Sequence, residues 1–407
     1  MIQKFKLFLL TFVHFLTDCY SSLLSPLLPV LIIKLDLSLT MAGALGAVAL
    51  LTSSLFQPMM GILGDRMKKR YFIIVGPLFA AIFMSSVGLA PNFNILVILV
   101  LLGGFGTASF HPQSVSMAGD VSGKRRGLGV SLFIGGGTLG LAVSPLVSTW
   151  YVDRFGIESL IWLAVPTVFA VILMARSLPI TNPSPRIVTV AQLFEQFRPH
   201  LSAMIILTVV VIIRTLAGIG FTMFLPVLMA ERGYSLLSGG AILTMFSSAG
   251  VIGGLLGGVI SDRIGRARVI WITVLLTTPF LYGFLHTEGW LMYCMLFAGG
   301  FMVLASNSVA IAMAQELFPE NAGTASSFPM GFSWGVAGGM MVLVGNSADR
   351  IGVESTLEIL AFVPILGALL ALKLPKDHRR LVSASVGQPE SPELIGNAGD
   401  SEAASKS

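Results

Sequence analysis

Four ionisable side chains stand inside long apolar runs of this sequence: His14, Asp18, His111 and Arg214. Charge is expensive in hydrocarbon, so such residues mark proton relays, ion paths or substrate contacts. At ~1.5 Å per helical residue, Asp18 lies ~18 Å past Lys6, and His14 is one turn shallower. By the same rise, His111 lies ~14 Å before Asp120 and Arg214 ~21 Å past His200. All four approach the middle of their runs from the same side.

His14 and Asp18 are four residues apart and share one helix face, with Thr11, Ser21, Ser22 and Ser25 adding polarity nearby. Burial disfavours a charged carboxylate and a neighbouring cation favours it, so a group in this setting can bind and release a proton. Asp18 is the expected proton carrier, with His14 tuning it. The alternative is a fixed His–Asp pair that only orients its helix. His111 is followed at once by Pro112 and Gln113. Pro112 removes a backbone donor and favours a kink, which would present His111 and Gln113 to substrate or proton. Arg214 keeps its charge and offers a planar fork suited to carboxylate or phosphonate. It is expected to bind substrate or to pair with Asp18, either transiently or as a permanent structural pair. His14, Asp18 and His111 form too small a ligand set to predict a metal, and none is expected.

The elements that must position these residues follow from composition. The chain has 407 residues, 55% hydrophobic and 11% charged, where a soluble chain has roughly 25% charged. Apolar runs of about 20 residues suit helices crossing a ~30 Å hydrocarbon core, so an all-α integral membrane protein is predicted. Twelve spans fit, at 7–33, 41–63, 71–90, 94–118, 127–150, 158–178, 201–230, 237–261, 268–287, 290–315, 323–347 and 354–374. The first and seventh are long enough to kink, at Pro26 and Pro29 and at Pro226. Lys4 and Lys6 before an apolar run look like a signal peptide, but His14, Asp18 and the length of the run favour a first span. Cys19 and Cys294 lie inside apolar runs and imply no disulfide framework.

The net charge of +5 does not point to nucleic acid, because the charges sit in short loops. With both termini cytoplasmic, 20 of the 25 Lys and Arg fall on the cytoplasmic side, as expected for a multi-pass protein of the cell membrane. The linker 179–200 is proline-rich, and its AQLFEQF portion has the pattern of a short surface helix. The tail 375–407 is polar and predicted disordered.

The chain also repeats itself. GILGDRMKKR (61–70) matches GVISDRIGRAR (258–268), GGF recurs at 103–105 and 299–301, DRFGIES (153–159) matches DRIGVES (349–355), and LLPVLI (27–32) aligns with FLPVLM (224–229). All four share an offset of 196 or 197 residues, so the chain is two six-span halves, 1–178 and 201–374. Parallel repeats of this kind place a substrate site between the halves near the midplane. Arg214 then aligns with Thr17, beside Asp18.

Two six-span halves with Gly-x-x-x-Asp-Arg-x-x-x-Arg after spans 2 and 8 resemble the major facilitator superfamily. The resemblance implies gating roles for Gly61, Asp65, Arg66 and Arg70, and for Gly258, Asp262, Arg263 and Arg266. The plainer alternative is that these loops are topology signals. His14-x-x-x-Asp18, LFQPMMGILGDR (55–66) and FHPQ (110–113) further resemble the fosmidomycin resistance protein group of drug exporters. In that group an acid is expected after His-Pro, and Gln113 stands here. GGGTLGLAVSP (135–145) loosely resembles the glycine-proline motif of proton–drug antiporters through Gly140, Ser144 and Pro145, although close helix packing explains it as well.

A monomeric secondary transporter follows, exporting a small drug-like or anionic molecule against proton entry, with uptake symport of an organic anion as the alternative. The partners are substrate, protons and lipid. No Walker motif, nucleophile set or soluble domain points to ATP use or an enzyme, and GGFGTAS (103–109) lacks the strand and GKS/T of a nucleotide loop. No cofactor is expected. Among the aromatics, Trp334, Phe332 and Phe328 are candidates to line a cavity.

Overall fold

A backbone that crosses hydrocarbon must satisfy its own hydrogen bonds, and a chain without strand patterning does so as helices. The computed structural model describes residues 3–66, 69–178, 198–319 and 322–375, with the side chains of Ile62, Gly64–Arg66, Lys69, Arg70, Pro199, Ala322 and Gly323 also outside the description. Among the described residues, twelve helical spans follow one another in sequence. They are α1 (Lys4–Leu35), α2 (Leu39–Arg66), α3 (Lys69–Ser85), α4 (Phe93–Ser122), α5 (Arg126–Phe155), α6 (Ala164–Ser177), α7 (Leu201–Glu231), α8 (Leu236–Ile264), α9 (Arg266–Leu285), α10 (Gly289–Leu317), α11 (Thr324–Ile351) and α12 (Val353–Ala371). Eleven runs are long and apolar enough to cross a membrane, and one of them, Phe93–Phe155, holds both α4 and α5. The chain turns between these two at Gly123, whose φ of 54° is easy for glycine.

The helix breaks have local causes. α1 is interrupted between Ser21 and Leu24, where Pro26 leaves the Ser22 carbonyl without its helical donor. α11 carries a π-turn at Phe328–Phe332, around Pro329. The kinks expected at Pro112 and Pro226 do not interrupt their helices, since α4 and α7 each run through as one element. The expected surface helix at 191–197 and the disordered tail lie outside the described residues, apart from Pro375.

The repeat is visible in the contacts. Lys34 at the end of α1 pairs with Glu158, just before α6, and donates to the Gly88 carbonyl after α3. Arg232 at the end of α7 pairs with Glu354 at the start of α12 at 2.6 Å and donates to the Leu285 carbonyl of α9 at 2.8 Å. The same three-element clasp closes each half.

The halves meet along α2 with α11 and along α5 with α8, and α1 touches α7. These contacts tie the two halves into one packed unit. Call the ends of the helices that carry the Lys- and Arg-rich loops the basic face. Toward the opposite face one apolar cluster spans both halves, from Leu27, Leu31 and Leu45 to Phe224, Leu228 and Met341. Toward the basic face each half keeps its own cluster, one around Leu10, Phe110 and Met117 and one around Leu207, Ile270 and Ala310. Gly43 and Gly345 allow the tight seam at the opposite face. A Cβ on Gly43 would sit 2.2 Å from the Met341 carbonyl, and one on Gly345 2.2 Å from the Leu39 carbonyl. Lipid-facing positions are apolar, as with Phe169 and Trp290.

Candidate functional site

The one-turn spacing of His14 and Asp18 on α1 holds them together, with His14 Nε2 3.3 Å from Asp18 Oδ2. α4 brings His111 to the other carboxylate oxygen, with Nε2 3.0 Å from Asp18 Oδ1. Each imidazole is anchored through its second nitrogen. His14 Nδ1 donates to the Phe133 carbonyl of α5 at 2.8 Å, and His111 Nδ1 donates to the Thr107 carbonyl of α4 at 2.9 Å. A backbone carbonyl only accepts, which fixes both Nδ1 atoms as N–H. The His14 ring also stacks on Phe133, with centroids 4.0 Å apart.

Gly137 makes this cluster possible. A Cβ there would lie 2.4 Å from both Asp18 Oδ2 and His14 Nε2. His14 and Asp18 are buried, while His111 is half-buried and borders the cavity with Asp18. By type and spacing the three side chains could also grip a divalent cation, with donor atoms all within 4.8 Å of one another.

Between the halves lies a cavity of about 370 Å³, lined by Asp18, His111, Gln57, Arg214, Thr215 and Trp334 among others. Arg214 rises from α7 and is 1% exposed. It donates to the Val303 carbonyl at 3.0 Å and to Asn307 Oδ1 at 3.1 Å, while its Nε finds no partner among the described residues. No ion pair among the described residues includes Arg214. The expected alternative of an Asp18–Arg214 pair is therefore not the arrangement here, because two histidines occupy the carboxylate. Asn307 sits at the break in α10, where the helix restarts.

Gln113 departs from expectation. Its side chain is 2% exposed and does not border the cavity. It donates to the Met60 and Gly61 carbonyls at 3.1 and 3.3 Å, fastening α4 to α2. An uncharged amide can take that place because both partners are carbonyl acceptors. Trp334 borders the cavity, whereas Phe332 and Phe328 do not.

In the second loop motif, Arg266 pairs with Asp262 at 2.7 Å and with Glu316 at 3.0 Å, bracing the α8–α9 turn against α10. Arg263 is exposed. In the first motif, a Cβ on Gly61 would stand 3.9 Å from Pro112 Cβ, in ordinary van der Waals contact, while the side chains of Asp65, Arg66 and Arg70 lie outside the described residues. Gly140 and Ser144 pack α5 on α1. A Cβ on Gly140 would meet the Phe15 carbonyl at 2.2 Å, and Ser144 donates to the Cys19 carbonyl at 2.7 Å. Gly137, Gln57 and Asn307 are absent from the expectations. Gln57 and Asn307, both polar inside apolar runs, carried the signal that could have found them.

Two six-helix halves around a largely apolar cavity that carries a few polar and charged side chains, sealed toward one face, define a multi-pass membrane transporter. The family model of the Major Facilitator Superfamily matches residues 10–342, and the chain belongs to that superfamily. The chain is 28% identical over 377 residues to the fosmidomycin resistance protein of Escherichia coli (strain K12), covering 90% of this chain and 92% of the relative. It is 27% identical over 375 residues to the uncharacterised MFS-type transporter YfnC of Bacillus subtilis (strain 168), covering 90% and 91%. Its fold is similar to that of a bacterial homolog of the human lysosomal transporter Spinster in an inward-facing, unoccupied conformation. The TM-score is 0.79 at 16% identity, over 93% of this chain and 98% of that one.

Proposed function

We propose that the chain exports a small drug-like or anionic molecule by alternating access, driven by proton entry, as a monomer in the cell membrane. The observation that carries the reading is the carboxylate of Asp18, clamped between two histidines at the wall of the central cavity. A carboxylate there can exchange protons with whichever face the cavity opens to. The likeness to a fosmidomycin resistance protein supports a drug-like cargo.

The excess of Lys and Arg makes the basic face cytoplasmic, with both termini on that side. The cavity is sealed toward the opposite face, so this conformation collects cargo from the cytoplasm. Asp262, Arg263 and Arg266, with Gly61, Asp65, Arg66 and Arg70, then serve the gate that closes the cytoplasmic face. The Arg266 bridge to Asp262 and Glu316 supports that role. His111 and Arg214 contact the cargo, while Gln113 positions α4 against α2.

A susceptibility panel that includes fosmidomycin, in a pump-deficient bacterial host, would find the cargo. Everted vesicles with an acid interior should then accumulate that compound, and accumulation indifferent to the gradient would reject proton coupling. A second reading, uptake symport of an organic anion, is favoured by the buried Arg214 without an acidic partner. It expects the same vesicles to expel the anion instead.

A further inference from the structure

Helices α1 and α6 pack together in the first half and leave a groove of about 450 Å³ on the outer surface of the bundle. That size lies within the ~300–1,000 Å³ of small-molecule sites. Leu9 and Ala170 form its buried floor, and Phe8, Phe12 and Phe169 form its exposed walls. The Phe8 and Phe12 rings are stacked, with centroids 6.2 Å apart. Along α6 the groove runs between Pro166 and Arg176. Those roughly ten residues rise ~15 Å, which is half of a ~30 Å hydrocarbon core. The groove is therefore one leaflet deep, and the leaflet is the one at the basic face.

Its charge is confined to the basic end. Arg176 closes the groove there. Lys4 stands one turn beyond Phe8, and the four-residue spacing of Lys4, Phe8 and Phe12 puts all three on one face of α1. Both cations are exposed, and among the described residues neither belongs to an ion pair. No Asp or Glu occurs in 1–17 or in 159–178 to neutralise them. A zwitterionic headgroup would bring its own cation against these two, with no acid to receive it. An anionic headgroup brings only the charge they lack.

The repeat separates this feature from the needs of the fold. At the offset of 197 residues, α7 carries Leu201, Ile205 and Val209 where α1 carries Lys4, Phe8 and Phe12. The second half packs the matching pair, α7 and α12, without that cation and without the aromatic wall. We propose that the α1–α6 groove binds an anionic phospholipid from the leaflet at the basic face. The phosphate lies between Lys4 and Arg176, and one acyl chain runs along Phe8, Phe12 and Phe169. Basic pockets between membrane helices hold acidic headgroups in this way.

The full chain, purified in detergent, would be offered phosphatidylglycerol and phosphatidylcholine with identical acyl chains and read by native mass spectrometry. It should retain one phosphatidylglycerol in preference to phosphatidylcholine. Arg176→Gln should cut that preference about fivefold, the effect of ~1 kcal/mol per cation, and Lys4→Gln should lower it as well. Melting curves would confirm that both variants fold. Lys373→Gln, just past the end of α12, should leave the preference unchanged. A phosphatidylglycerol with a photoreactive acyl chain, in excess phosphatidylcholine, should label residues 8–12 and 166–173 ahead of other lipid-facing segments. The proposal is overturned by equal retention of the two lipids, by equal losses in Arg176→Gln and Lys373→Gln, or by labelling that is even over the outer surface or avoids the groove.

Discussion

Asp18 is buried at the cavity wall with two histidines beside it, so whether its carboxylate holds a proton decides the charge it presents there. Asp18→Asn keeps the shape and removes the acid. Downhill cargo flux should continue while uphill transport stops, as read from cargo flux in vesicles with and without a pH gradient. Gly137→Ala tests the geometry without touching a titratable group. Its Cβ would fall 2.4 Å from atoms of both His14 and Asp18, so coupled transport should drop at least about tenfold, the effect of ~1.4 kcal/mol. The gain in helix propensity, up to about 1 kcal/mol, should keep the protein expressed and folded, which a melting curve would check. Arg214→Lys removes the planar fork but keeps the charge. An anionic cargo should weaken by about tenfold, a loss of ~1.4 kcal/mol, and a neutral one much less; equal losses in a competition assay would remove Arg214 from recognition. The sequence showed His14, Asp18, His111 and Arg214 because ionisable groups in apolar runs need a reason. It could not show that His111 would reach the carboxylate before Arg214, since that depends on how α4 and α7 lie against α1. Gln113 was misplaced for the same reason: whether a polar side chain meets a cavity or a neighbouring backbone depends on which way its helix is turned.

At the scale of elements, the seam between α2 and α11 holds the cavity shut toward the opposite face. Asp349 of α11 accepts hydrogen bonds from the Leu39 and Thr40 amides at 2.8 Å and from the Thr40 hydroxyl at 2.6 Å. A carboxylate at a helix N-terminus is favoured by the unpaired amides there. The repeat gives α5 the matching Asp153, which among the described residues makes no such bond to the start of α8, although α2 and α8 each carry their own serine cap, Ser38 and Ser235; this latch exists on one side of the pseudo-symmetric pair. Asp349→Ala should loosen the closed state by about 1 kcal/mol or less, because the carboxylate is solvent-exposed. Spin labels across the α2–α11 ends should report a longer distance population at that face, and an unchanged distribution would show the latch to be idle. Gly43→Val should act more strongly, since it puts bulk against the Met341 carbonyl. The helices themselves were legible from apolar runs and prolines, and DRIGVES was legible as a repeat landmark. Its latch was not, because the partner lies 310 residues away in a seam that no periodicity encodes.

At the scale of the whole molecule, the repeat, the loop charges and the absence of soluble domains predicted a two-half membrane bundle, and the clasps at Lys34 and Arg232 show the repeat operating as structure. The apolar clusters add what the sequence could not: the halves are joined toward one face and separate toward the other. A cavity with that access, a protonatable unit on one wall and a fixed cation on the other suits exchange of cargo for protons. The central claim is tested most directly in everted vesicles loaded with acid buffer, using a compound to which the chain confers resistance. The account predicts accumulation that collapses on adding a protonophore and is absent with Asp18→Asn. Accumulation that ignores the protonophore, or that survives Asp18→Asn unchanged, would contradict it.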